Sequence, residues 1–211
     1  MALSTYQTVK DTGEHEITIQ KSRFIAHFDR VETEEAAQAF IDRIKKQHWN
    51  ATHNCSAYLI GERDEIQKAN DDGEPSGTAG VPMLEVLKKR GLKDTVVVIT
   101  RYFGGIKLGA GGLIRAYGGA VSEGLNEIGI VKRTLTQVIH TEIDYHWLGK
   151  VEHALRESPY QMKGTDYLEQ VDVQTYVEID KVEEFEAWIT NITNGQAEIK
   201  RGEETYLEVE I

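Results

Sequence analysis

Residues 95 to 100 read Thr95-Val96-Val97-Val98-Ile99-Thr100, six β-branched side chains in succession. So stiff and apolar a run is suited to a central strand buried within a sheet. Alternation over 14–20 and 23–31, with Ile17, Ile19, Phe24 and Ile25 at the apolar positions, predicts two further strands joined as a hairpin. Thr33, then Glu34 and Glu35, then Ala36, Ala37, Phe40, Ile41 and Ile44 give a cap, an acidic first turn and an apolar stripe, which predicts a helix ending near His48. Strands are expected over 55–60 and 66–69, a turn-rich loop over 70–78, and a helix over 81–89 that tolerates Pro82 in its first turn. The chain should then turn over 101–112 and form a helix over 113–128, where Ala116, Gly119 and Ala120 permit close packing on a sheet.

The 211 residues suffice for one large domain or two small ones, and a hydrophobic fraction of 40% excludes wholesale disorder. Cys55 is the sole cysteine, so there is neither an internal disulfide nor a Cys-rich zinc site. No run of about 18 apolar residues occurs, and the first ten residues lack an apolar stretch after a basic start. A soluble cytoplasmic protein with no membrane partner is the expectation.

Charge divides the chain. Residues 1–133 carry 18 Lys+Arg and 18 Asp+Glu, whereas residues 134–211 carry 6 and 17, so the whole net charge of -11 lies in the last third. That third repels a polyanion, and a nucleic-acid surface is expected on the first part. Glycine usage changes at the same place, with 13 of 19 glycines between Gly73 and Gly129. Domains are therefore expected over 1–133 and 134–211, with Lys132-Arg133-Thr134 as a short polar joint. The second reads strand (136–143), helix (148–157), strand (160–168), strand (171–179), helix (182–192) and strand (197–200, then 205–211). That βαββαβ order is the ferredoxin-like unit. The fold class is α+β.

The densest motif is Arg101-Tyr102-Phe103-Gly104-Gly105-Ile106-Lys107-Leu108-Gly109-Ala110-Gly111-Gly112-Leu113-Ile114-Arg115. Glycines before a helix permit close backbone approach, and free N–H groups at the helix start face an anion well. The same glycines equally serve a tight turn, with Arg101, Lys107 and Arg115 solvated. Neither a P-loop nor the dinucleotide glycine spacing is present. Lys88, Lys89 and Arg90 end a predicted helix, where cations meet its dipole; should they lie near the other three, the six charges form a phosphate-binding patch. Asp71, Asp72, Glu74 and Ser76 form an acidic loop whose side chains fit Asx turns and helix capping, or a magnesium ion. His53 and Cys55 share a strand face, which fits a Cys–His nucleophile pair, but a lone Cys entering an apolar strand is more often core. Tyr102, Phe103 and Tyr117 suit core packing or base stacking.

Asp71-Asp72-Gly73-Glu74-Pro75-Ser76-Gly77-Thr78-Ala79-Gly80, with Arg101-Tyr102-Phe103-Gly104-Gly105 and the run from Leu108 to Tyr117, closely resembles the IMPACT family in its bacterial YigZ-type branch. The resemblance covers nearly the whole chain. It implies an N-terminal α/β sandwich like the second domain of a small-subunit ribosomal protein and like domain IV of elongation factor G, followed by a ferredoxin-like domain similar to domain V of that factor. Eukaryotic relatives act in translational control, interfering with activation of an initiation-factor kinase by its activator. They carry an extra N-terminal protein-binding domain that this sequence, starting almost at its first strand, is expected to lack. The resemblance brings no catalytic residues.

The function expected is thus non-enzymatic RNA or ribosome binding with a role in translational regulation. The anion contacts would be Arg101, Lys107, Gly109, Gly111, Gly112 and Arg115, joined by Lys88, Lys89 and Arg90. No catalytic group, metal or cofactor is assigned; a regulatory protein partner is a further expectation. Two rivals stand beside this reading. One is an enzyme acting on a phosphorylated small molecule through the glycine loop, with Asp71 or Asp72 on magnesium. The other is a protein-interaction module in stress control.

Overall fold

The computed structural model describes residues 4–211. Met1 to Leu3, which belong to the segment searched for a leader and to the first expected domain, lie outside the described residues. The chain forms two compact units. One comprises Tyr6–Lys132 with Val209–Ile211, the other Arg133–Glu208 with residues 4–5.

The larger unit is built on a five-stranded antiparallel sheet in the order β2 (Gly13–Ile19), β3 (Ser22–Arg30), β6 (Thr95–Tyr102), β4 (His53–Ile60), β5 (Ile66–Asn70). The β-branched run is β6, the central strand. Its alternate side chains feed two different cores. Val97 and Ile99 join Phe24, Ala26, Phe28, Cys55, Ala57 and Leu59 on one face, under α2 (Gly80–Lys89) and α3 (Gly109–Ile128). Val96 and Val98 join Tyr58 and Ile60 on the other, under Phe40, Ile41 and Ile44 of α1 (Glu34–Gln47). Helices on both faces make this a three-layer sandwich. The cap of α1 is as expected: the Thr33 hydroxyl accepts the N–H of Ala36 at 3.1 Å, and the helix ends at His48.

Several expectations need correction. A first strand, β1 (Thr5–Val9), lay unread because its five residues offer too short a pattern. The supposed polar joint at Lys132 to Thr134 is the interior of a single strand, β7 (Ile130–Ile143), since a short polar run does not by itself interrupt a backbone ladder. The last helix of the larger unit starts at Gly109 rather than Leu113, so the glycine motif is its first turn.

The smaller unit is ferredoxin-like. The order β7, α4 (Tyr145–Arg156), β8 (Gln161–Tyr167), β9 (Val171–Glu178), α5 (Val182–Ile192), β10 (Glu198–Glu210) gives a sheet in which β7 pairs with both β9 and β10, and β9 with β8. The break expected between 200 and 205 is absent, and β10 runs through it. Ile139, Ile143, Val171, Val173 and Val177 face Val151, Leu155, Phe185 and Ile189 of the two helices. Each such side chain, when fully buried, contributes about 1.5–3 kcal/mol.

In the larger unit, β3 carries His27, 3% exposed, with its ring centroid 5.0 Å from that of His48. Its Nδ1 lies 3.2 Å from Glu14 and its Nε2 3.4 Å from the Thr100 hydroxyl. Burial, with the nearby His48 and Arg43, pushes His27 down to about 4 against the opposing pull of Glu14. Between about pH 6.5 and 4 the unfolded chain therefore binds a proton that the folded one refuses, and stability falls as pH is lowered. Urea denaturation across this window should show a loss of up to about 3 kcal/mol that His27→Gln largely flattens. An equal acid slope in both proteins would assign the loss to other groups.

Candidate functional site

The acidic loop between β5 and α2 is folded around two carboxylates. Asp71 accepts the N–H groups of Gly77, Ala79 and Gly80 at 2.8, 3.1 and 2.8 Å, closing the loop onto the start of α2. Burial raises the Asp71 carboxyl, but these donors outweigh it and hold the group below the usual range. Asp72 pairs with Lys45 at 2.8 Å and accepts the Asn54 N–H at 2.7 Å. Ser76 is exposed. The loop is thus a capping and bracing device. Among the described residues no group of three His, Cys, Asp or Glu side chains is placed to hold a metal ion.

Glu74 points inward. It is 8% exposed, and its Oε1 accepts both Arg101 at 2.6 Å and the Tyr117 hydroxyl at 2.7 Å. Arg101, 5% exposed, lies over the rings of Phe24 and Phe103. Its Nε has no hydrogen-bond partner among the described residues. Ser22, which accepts Arg101 at 3.4 Å, also takes the Gly104 N–H at 3.1 Å. Gly104 is obligatory at this approach, because a Cβ there would lie 2.0 Å from the backbone of Lys21. Cys55 sits behind, donating to the Asp71 carbonyl and to Tyr117, and burial pushes its thiol up to about 12. It is no nucleophile at neutral pH.

In front of this cluster opens a cavity of about 440 Å³. Its polar wall is Thr52, His53, Glu74, Arg101 and Lys107; its apolar wall includes Phe103, Leu108 and Leu113. His53 bonds the Asp72 carbonyl through Nδ1 at 2.8 Å, which leaves Nε2 3.6 Å from Glu74 Oε2. The start of α3 forms the rim. Leu108 at its cap position offers no side-chain acceptor, and no acid stands in the first turn. Gly109 holds φ at +72°, with open space where a Cβ would be. The first-turn N–H groups therefore have no acceptor within the helix, and Gly109, Ala110 and Gly111 are exposed residues.

The Impact N-terminal domain profile matches residues 20–125, and a domain of unknown function, DUF1949, matches 141–196. IMPACT family member YvyE of Bacillus subtilis is 68% identical over 206 residues, covering 98% of this chain and 95% of the relative. The chain belongs to the IMPACT family. Family member YigZ of Escherichia coli is 36% identical, covering 88% of this chain and 92% of its own. A crystal structure described as a hypothetical protein matches this IMPACT chain with a TM-score of 0.61 at 32% identity, covering 96% and 99% of the two chains.

The IMPACT domain does not gather the six cations expected to form a patch. Arg101 is neutralised by a buried carboxylate, which corrects its reading as an open anion contact. Lys107 and Arg115 are exposed and make no ion pair among the described residues. The end of α2 lies elsewhere: Arg90 bonds Ser122 and Asn126 of α3 at 3.2 and 2.7 Å, and Lys88 pairs with Glu85. Ser122 is about 20 Å along the helix from Gly109. Lys89 is exposed at that same end of α2. Tyr117 is core, Tyr102 is tied to His48 at 2.9 Å, and Phe103 is 46% exposed at the cavity. Sequence reasoning missed His53 and Thr52 as lining residues. Strand alternation placed His53 on the correct face, but its partners come from a loop about 20 residues away.

Removing one member of the Glu74–Arg101 pair leaves a buried charge alone. Glu74→Ala and Arg101→Ala are each expected to lose about 3–5 kcal/mol in chemical denaturation. The double variant should lose much less than their sum, with a coupling above about 1 kcal/mol. Additive losses would mean the two groups do not act as a pair.

Proposed function

We propose that this IMPACT chain is a non-enzymatic cytoplasmic protein that binds RNA, free or within the ribosome, through its larger unit and so acts in translational regulation. The observation that carries the reading is the exposed start of α3. There Lys107, Arg115 and the first-turn N–H groups stand without a carboxylate partner among the described residues, in a region whose formal charges balance as a whole. Lys88, Lys89 and Arg90 are too far along α3 to share one phosphate with them. The translational role follows the family's eukaryotic members.

The test is a salt titration of binding to single-stranded RNA and to ribosomes. Lys107→Ala/Arg115→Ala should weaken binding and lower the salt slope by about 1.4, the value for two phosphate contacts on a single strand. Lys88→Ala/Lys89→Ala should change neither. Equal binding by wild type and the first variant removes the surface assigned here. Capture of a protein that survives nuclease treatment, with no RNA bound, favours the interaction-module reading instead.

A further inference from the structure

The cavity deepens the RNA reading, on which this inference rests only for its biological setting. Four features converge there. The α3 start presents uncapped N–H groups, and Lys107 stands beside it. Arg101, its side chain 6% exposed, lines the wall with its guanidinium held by Glu74. Phe103 offers a half-exposed aromatic ring. Glu74 Oε2 and His53 Nε2 face each other at 3.6 Å, too far apart to satisfy one another.

Charge decides the kind of ligand. Glu74 cancels Arg101, so the lining of the cavity keeps Lys107 and a helix end worth about half a positive charge, with Arg115 farther along the same helix and outside the lining. That suits one phosphate group and no more. A running strand would need further cations beside the cavity, yet the next cluster, at the end of α2, is about 20 Å away along α3. A volume of about 440 Å³ exceeds what a bare phosphate fills and falls in the range for a small organic ligand. The apolar wall and Phe103 ask for a flat ring, and the Glu74 and His53 atoms for a polar ring edge.

We infer that the cavity binds a single nucleoside 5′-phosphate, free or at the 5′ end of an RNA, with its phosphate on the α3 start and Lys107 and its base against Phe103. This grip is on one end group and is indifferent to duplex geometry.

Fluorescence or calorimetric titration tests it with the four nucleoside 5′-monophosphates, inorganic phosphate, and a short oligoribonucleotide bearing either a 5′-phosphate or a 5′-hydroxyl. The phosphorylated oligonucleotide should bind at least about tenfold more tightly than its hydroxyl twin. A mononucleotide bound as tightly as the oligonucleotide identifies free nucleotide as the source, and a tighter oligonucleotide identifies the RNA end. Ala110→Glu places a carboxylate in the first turn of α3, where it favours the helix, so the protein should melt no lower than wild type while losing the tenfold preference. Phe103→Ala should weaken nucleotides about fivefold or more while leaving inorganic phosphate unchanged. Equal binding of the two oligonucleotides, or Ala110→Glu binding nucleotide as wild type does, overturns the assignment. The salt titration fails separately: nucleotide binding without RNA or ribosome binding sinks the RNA reading and leaves this site standing.

Discussion

The larger unit is organised around one buried ion pair. Glu74 and Arg101 together remove two charges from water, at a desolvation penalty of several kcal/mol each, and the geometry has to recover it. It does so by recruiting other elements: Tyr117 from α3, Ser22 and Phe24 from β3, and Phe103 from the strand exit. The acidic loop cannot leave the sheet without stranding Arg101 in an apolar site. Its position is therefore set by the central strand, and α2, which the loop caps, is placed with it. A buried pair of this kind is weak support for stability but strong support for a single register.

The two helices on that face begin in opposite ways. α2 has the N–H groups of its cap residue Ala79 and its first residue Gly80 taken by Asp71, an acceptor from outside the helix. α3 has none, although Glu74 and Asp72 lie in a loop close enough to line or brace the same region. Both of those carboxylates are already committed, one to Arg101 and Tyr117, the other to Lys45 and Asn54. An uncapped helix start next to spent carboxylates keeps its attraction for an anion from solvent. The glycines contribute by leaving the rim bare of side chains.

Much of this was legible in the residues, for reasons that differ by element. α1 announced itself because Thr33, the acidic turn and the apolar stripe all follow from contacts within a few positions. The ferredoxin-like order was readable because each strand of the smaller unit has one buried face, and alternation survives in Val171, Val173, Thr175 and Val177. The start of α3 was misplaced because propensity argues against four glycine-rich positions in a helix, whereas packing of Leu113, Ala116 and Tyr117 holds them there. The site was legible only in composition. Arg101 and Glu74 are 27 positions apart, and nothing local tells a solvated arginine from one sealed between two phenylalanine rings. His53 was likewise hidden, since its role comes from the carbonyl of Asp72, a backbone atom with no sequence signature.

Overall charge and local charge pull in different directions in this protein. A net charge of -11 opposes any polyanion at long range, but at physiological salt that repulsion is damped beyond about 8 Å. What survives screening is short-range and directional: N–H groups at a helix start, one ammonium, one aromatic ring. A basic protein tracks a phosphate backbone by counterion release over many contacts. The six cations singled out in the sequence form no such track, since they are divided between a buried pair, the far end of α2 and the start of α3. Under the nucleotide assignment proposed above, selectivity comes from the shape of the cavity rather than from the overall field.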